Sequence, residues 1–210
     1  MEIGSDHLRV VITAAGQGIG RALAQVFWEN GAQVHICDIA ADRLANVAAE
    51  CAGVTTTAAD VSDPTHVDRF VDEAISNMGG IDVLINNAGI AGPTGPVEEV
   101  SPEEWQQTMG VNINGQFHCV RRVVPIMKAQ IARNETPGSI INISTTAGLF
   151  GYPLRSPYAA SKWAVIGFTK TLAMELGAFG IRVNVICPGS INNSRMDSVI
   201  ANEANARGIT

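Results

Sequence analysis

Residues 8–20, LRVVITAAGQGIG, decide the fold: six mostly aliphatic residues, a turn with glycine at 16, 18 and 20, and then a segment of helical period. Val, Ile and Thr crowd χ1 and favour extended backbone. Glycine permits the tight turn that follows. From Ile19 to Asn30, Leu23, Val26 and Phe27 recur at helical spacing and predict one buried face. AQVHICD (32–38) is a second aliphatic run, so the opening unit reads strand, helix, strand. Two strands joined through a helix lie parallel in one sheet.

The alternation continues along the chain. A helix over Asp42–Cys51 precedes a third strand, VTTTAAD (54–60). Asp63-Pro64 opens the next helix, a carboxylate cap followed by proline at the first helical position. IDVLINN (81–87) is a fourth strand, and Ser101-Pro-Glu-Glu starts another helix with a serine cap and acids in its first turn. That helical segment runs to about Asn134, with a break near Val111-Asn112. GSIINIS (138–144) is a fifth strand, Tyr158–Phe179 a long helix rich in Ala and Gly, and IRVNVIC (181–187) a sixth strand. The pattern predicts an α/β fold: a Rossmann-type, doubly wound parallel sheet in one domain over residues 1–210. Such a sheet binds ligands beyond the carboxyl ends of its strands.

Composition agrees with that fold and removes several partners. Of the 210 residues, 46% are hydrophobic, only 5% aromatic, and 21 are glycine, as suits aliphatic strands joined by tight turns. A net charge of −6 speaks against nucleic acid or an anionic membrane, both of which reward clustered Lys and Arg. No apolar run reaches the roughly 18 residues of a membrane span. The N-terminal MEIGSDHLRVVIT lacks the longer apolar core of a signal peptide. Cys37, Cys51, Cys119 and Cys187 are widely spaced, and so are His7, His35, His66 and His118, which matches neither a disulfide framework nor a metal-ligand spacing. These features predict a cytoplasmic protein with reduced thiols and no metal.

The position of the glycine turn gives it a chemical meaning. In Thr13-Ala-Ala-Gly16-Gln17-Gly18-Ile19-Gly20, glycines let the backbone approach a pyrophosphate, whose charge sits at a helix N-terminus among unpaired N–H groups. No Gly-Lys-Ser/Thr follows, so this is not an ATP-type phosphate loop. About twenty residues on, the second strand ends in Asp38. A carboxylate there accepts hydrogen bonds from both hydroxyls of an adenine ribose and repels a 2′-phosphate. No Arg or Lys follows it until Arg43. The dinucleotide so predicted is NAD rather than NADP.

Seven motifs in order now carry a resemblance across nearly the whole chain. They are the glycine loop 13–20, Asp60-Val61, Asn86-Asn87-Ala88-Gly89, Asn112 within Val-Asn-Ile-Asn-Gly, Ser144-Thr145-Thr146-Ala147-Gly148, Tyr158-Ala-Ala-Ser-Lys162 and Pro188-Gly189. With them the chain resembles the short-chain dehydrogenase/reductase family, of the single-domain kind. The resemblance implies that Asp60 and Val61 hold the adenine and that Asn87, Ala88 and Gly89 line the cofactor channel. It also implies Ile19 beneath the nicotinamide, Pro188 and Gly189 over its far side, and Ser190 and Ile191 at its carboxamide. Asn112 matches the family asparagine that breaks a helix and holds a water in a proton relay.

Tyr158 and Lys162, four residues apart at the start of a helix, share one face. A phenol ordinarily titrates near pH 10 and is a poor base at neutral pH. An ammonium beside it and the charge of an oxidised nicotinamide both favour phenolate. Tyr158 is thus the expected general acid/base for a substrate hydroxyl, with Lys162 also holding the nicotinamide ribose. Three positions depart from the family's pattern. Thirteen residues before the tyrosine stands Thr145 in place of the usual serine; it is the expected substrate-orienting hydroxyl, with Ser144 as the alternative. Ala14 occupies a place more often held by glycine, which predicts a turn without positive φ. Asn193 stands where a threonine often meets the carboxamide.

The implied reaction is NAD-dependent interconversion of a secondary alcohol and a ketone, with polyols, sugar acids, hydroxyacids and 3-oxoacyl thioesters all open as substrates. An NADPH-dependent 3-oxoacyl thioester reductase is a second reading, against which Asp38 speaks. A non-catalytic nucleotide-binding protein is a third, against which the Tyr158–Lys162 pair speaks. The family's sheet continues through a seventh strand and a further helix, so an end at Thr210 predicts either a missing C-terminal portion or a shortened variant. Helices around Asn114–Ile131 and Tyr158–Phe179 resemble those through which the family forms dimers and tetramers. Ala164, Gly167, Phe168, Thr171 and Leu172 are the expected packing face of a homo-oligomer.

Overall fold

The computed structural model describes residues 7–133, 135–191 and 194–208. Six parallel strands form one sheet: β1 (Arg9–Thr13), β2 (Gln33–Asp38), β3 (Thr55–Ala58), β4 (Val83–Asn86), β5 (Ser139–Ile143) and β6 (Arg182–Ile186). Their spatial order is β3-β2-β1-β4-β5-β6, the doubly wound arrangement expected from the alternation. The order reverses direction between β1 and β4, and this switch opens a crevice at the carboxyl ends of the strands.

Alternation along each strand divides the core in two. Val11, Cys37, Leu84, Ile140 and Val183 point to one face. There they meet Phe70 of α3 (Pro64–Met78), Val123 of α5 (Gly115–Ala132) and Leu172 of α6 (Ser156–Leu176). Val10, Ile12, Val34, Ile36 and Ile85 point to the other face, toward Ala24 of α1 (Gly18–Glu29) and Leu44 of α2 (Ala41–Glu50). Each such side chain, fully buried, contributes roughly 1.5–3 kcal/mol. The buried stripe of α1 is Gly20 and Ala24, with Leu23 and Phe27 packed beside them; Val26 instead faces outward, contrary to expectation, because it lies about 100° off that stripe.

The helix starts follow the predicted chemistry. Asp63 accepts the Thr65 amide at 2.8 Å, and Ser101 with Glu104 forms a reciprocal box at the start of α4 (Pro102–Met109). The expected break at Val111-Asn112 is a π-helical segment, Gly110–Asn114, between α4 and α5. A final helix, α7 (Ser194–Arg207), follows β6. Among the described residues no helix is long and apolar enough to cross a membrane, and no group of three or more His, Cys, Asp or Glu could hold a metal ion. The four cysteines are free thiols.

Candidate active site

Two adjoining cavities lie at the carboxyl ends of the strands and share Ile19, Asn87 and Gly89. The first, about 540 Å³, is a groove over β1, β2 and the β4 end. Gln17, Gly18 and Ile19 line it, so the start of α1, whose first amides have no helical partner, borders the groove. Asp38, Asp60, Val61, Ala88 and Arg43 complete its wall. Arg43 is the sole cation lining it among the described residues.

Close approach explains two glycines of the turn. A Cβ at Gly16 would stand 2.9 Å from Asp38 Oδ2, which accepts the Gly16 amide at 3.0 Å. A Cβ at Gly20 would stand 2.5 Å from the Ala14 carbonyl oxygen and 2.6 Å from Asn87 Nδ2. Ala14 itself adopts φ 50°, so the expectation of a turn without positive φ is wrong. The cause is tertiary. Asn87 Nδ2 donates to the carbonyls of both Thr13 and Ala14 at 3.0 Å, and these two bonds hold the peptide in a left-handed turn despite a cost of about 1–2 kcal/mol. Thr13 Oγ1 in turn accepts the amides of Asn87 and Ala88 at 3.0 Å, fastening β1 to the end of β4. Asp60 Oδ1 is taken by the amide and hydroxyl of Ser62. The groove's glycine approach and its carboxylate fit a dinucleotide.

The second cavity, about 380 Å³, adjoins it over the end of β5. Tyr158 and Lys162 line it from α6, Ser144 and Thr145 from the end of β5, and Pro188, Gly189, Ser190 and Ile191 from the segment after β6. The Lys162 ammonium lies 6.0 Å from the Tyr158 ring centre and donates to the Ile143 carbonyl at 3.0 Å. Consecutive residues at a strand end point apart. Ser144 is buried with its hydroxyl donating to the Lys162 carbonyl at 2.8 Å, whereas Thr145 is half-buried and donates to the Pro188 carbonyl at 3.2 Å. Asn112, fully buried, accepts the Ile90 amide at 2.7 Å and donates to the Ile90 carbonyl and to Ser161 Oγ. Its side chain thus serves protein partners on three bonds, and Ser161 passes the link on to the Tyr158 carbonyl at 2.8 Å. Asn193 lies outside the described residues.

Over residues 9–205 the sequence matches the profile of short chain dehydrogenases. The chain belongs to the short-chain dehydrogenase/reductase family. It is therefore an oxidoreductase of a nicotinamide-dependent family. It is 40% identical over 191 residues to a trans-4-hydroxycyclohexanecarboxylate dehydrogenase of Sinomonas cyclohexanicum, covering 86% of this chain and 71% of that protein. A 3-ketoacyl-(acyl-carrier-protein) reductase of Brucella melitensis, crystallised with NADH, superposes with a TM-score of 0.90 at 30% identity, over 97% of this chain and 89% of the other. A short chain dehydrogenase/reductase of Burkholderia phymatum in complex with NAD gives 0.85 at 30% identity, over 97% and 80%.

Three residues that shape the site escaped sequence reasoning: Thr13, Ser161 and Arg155. The first two act through bonds to distant segments and leave no local signal. Arg155 did leave one, since a cation at the start of a helix opposes the helix dipole and needs a reason. Of the expected oligomer face on α6, Leu172 is buried in the core and Phe168 packs against it; Gly167 and Thr171 are exposed.

Proposed function

We propose that the chain is an NAD(H)-dependent oxidoreductase that interconverts a secondary alcohol and a ketone, its 210 residues forming one dinucleotide-binding and catalytic domain. The observation that carries this reading is the meeting of Tyr158, Lys162 and Thr145 in a cavity continuous with a carboxylate-walled dinucleotide groove. Tyr158 Oη takes the proton of the substrate hydroxyl during oxidation and returns it to the carbonyl oxygen during reduction. Lys162 sets a positive charge beside that phenol and reaches the ribose hydroxyls of the cofactor. Thr145 orients the substrate oxygen with its hydroxyl; Ser144, whose hydroxyl is spent on α6, positions the helix that bears Tyr158 and Lys162. Asn112 braces the Ile90 segment against Ser161 and so against the same helix, leaving a relay water to its backbone carbonyl. The nicotinamide, when bound, accepts or returns the hydride.

Asp38, Asp60 and Val61 hold the adenosine end, Gly16 to Gly20 the pyrophosphate, and Asn87 to Gly89, Pro188, Gly189, Ser190 and Ile191 the nicotinamide end. Asp38 supports NAD over NADP. The likeness to the Brucella reductase favours a second reading as a 3-oxoacyl thioester reductase, for which Arg43 in the same groove would be the residue that accommodates NADPH. A screen of secondary alcohols for NAD⁺ and NADP⁺ reduction, with Tyr158→Phe as control, separates the two. Exposed Phe117 on α5 and Trp163 and Met174 on α6 support a homo-oligomer, dimer or tetramer, formed through these helices. Sedimentation as a monomer would remove it. The charge of −6 and the dispersed thiols support a cytoplasmic setting without nucleic-acid or membrane partners.

A further inference from the structure

The geometry points to Arg155 as an anion-binding residue of the catalytic cavity, and hence to a substrate that carries a carboxylate: a hydroxy acid in one direction and its keto acid in the other. This assignment rests on reading the cavity as the place of alcohol–ketone chemistry and goes on to say which alcohols it takes.

Arg155 immediately precedes α6 and lines the same cavity as Tyr158 and Lys162. It is 2% exposed. Only Nη2 has a partner, the Ala91 carbonyl at 2.8 Å. Nε and Nη1 are buried with no hydrogen-bond acceptor, which leaves one N–H and two N–H groups unmet on a side chain that stays charged at any ordinary pH. No carboxylate among the described residues lies within ion-pair distance of it. The nearby acid of α7, Glu203, accepts from the Tyr152 hydroxyl at 3.3 Å instead.

Burying a cation without a counter-ion is unfavourable, and its place beside a helix N-terminus makes it more so because the dipole there is positive. What surrounds it holds it still without satisfying it. The guanidinium carbon lies 5.5 Å from the Tyr152 ring centre and 5.2 Å from that of Tyr158, so both aromatic faces attract the charge but neither accepts an N–H in its plane. A purely structural clamp would spend its donors on the protein. These donors are kept unspent, three residues before the proposed acid/base and beside its ring. The other cation of the cavity, Lys162, already donates to Ile143. A carboxylate entering the cavity meets charge-assisted donors at Arg155 while its carbinol reaches Tyr158 and Thr145. A neutral analogue leaves the guanidinium unpaired and is rejected for that reason.

Titration calorimetry of the full chain saturated with NADH, using butanoate and butanamide as probes, tests the site without turnover. Butanoate is expected to bind at least tenfold more tightly than butanamide. Arg155→Gln should erase that preference and Arg155→Lys should keep part of it. Equal binding of the two probes, or a preference that survives in Arg155→Gln, overturns the assignment. Should Arg155→Gln not fold, the wild-type preference and its partial retention in Arg155→Lys decide; a preference unchanged in Arg155→Lys then counts against it. In turnover, the kcat/KM ratio of a 3-hydroxy acid to its methyl ester should fall at least tenfold in the variant, through KM. If butanoate is preferred yet neither acid nor ester is oxidised, the anion site stands and the alcohol–ketone reading fails.

Discussion

The Asp38 carboxylate accepts the backbone amide of Gly16 at 3.0 Å and that of Ala40 at 3.0 Å, one on each oxygen, so the end of β2 is pinned to the glycine turn after β1. Each oxygen retains a lone pair for a ribose hydroxyl. Held this way, the carboxylate cannot swing aside for a 2′-phosphate. NAD(H) is expected to exceed NADP(H) at least tenfold in kcat/KM, or about 1.4 kcal/mol. Asp38→Ser with Ile39→Arg should narrow or reverse the ratio, since Arg43 already lines the groove. Equal use of the two cofactors by the parent would sink the assignment.

Tyr158→Phe deletes one oxygen and leaves the ring between Arg155 and Lys162. Turnover should fall by at least a hundredfold, the usual scale of a lost acid/base, while NADH binding, followed by fluorescence, stays within a few-fold. Retention of more than about a tenth of the activity would show that another group moves the proton.

Thr145 and Ser144 offer a sharper test, because they differ in what their hydroxyls already hold. Thr145→Ala should lower kcat far more than Ser144→Ala, whose main loss is the bond to the Lys162 carbonyl, about 1 kcal/mol of stability. The reverse ranking in kcat would move the substrate-orienting role one residue back.

The strands and helix starts were legible because their signals are local: aliphatic runs, an Asp-Pro cap, a Ser-Pro-Glu-Glu box. The site was legible where a motif carries its own chemistry, as at Tyr158 and Lys162. What escaped was set by tertiary contact. Ala14 takes positive φ because Asn87, over seventy residues away, draws its carbonyl inward. The Ser144–Thr145 choice turns on a carbonyl of α6. Val26 lies outside the buried stripe of α1 because helical spacing alone does not say where that stripe begins.

His35 supplies a prediction about pH. It is fully buried on β2, stacked 5.2 Å from Phe70, with Nδ1 2.6 Å from Thr55 Oγ1 and Nε2 3.0 Å from Thr57 Oγ1. Thr57 donates its own proton to Glu73, so it accepts from Nε2–H, while Nδ1 faces the Thr55 hydroxyl, which can serve it as donor. That network is compatible with a neutral imidazole. Burial lowers its pKa from 6.5 to about 4, and the negative charge of Glu73 only partly opposes the shift. The folded value is depressed, so the unfolded chain takes up the proton first. Stability is whole above pH 6.5 and is lost progressively as pH falls toward 4. Between pH 7.5 and 5 the loss from this one residue is about 2 kcal/mol. The Arg9–Asp82 pair contributes little over that range, because hydrogen bonds from Arg9 hold Asp82 below the usual carboxylate value despite burial. In His35→Gln, which hydrogen-bonds but does not titrate, urea unfolding at the two pH values should show the parent's difference reduced by about 2 kcal/mol. An unchanged difference would mean that His35 is already charged in the folded protein or that another group sets the slope.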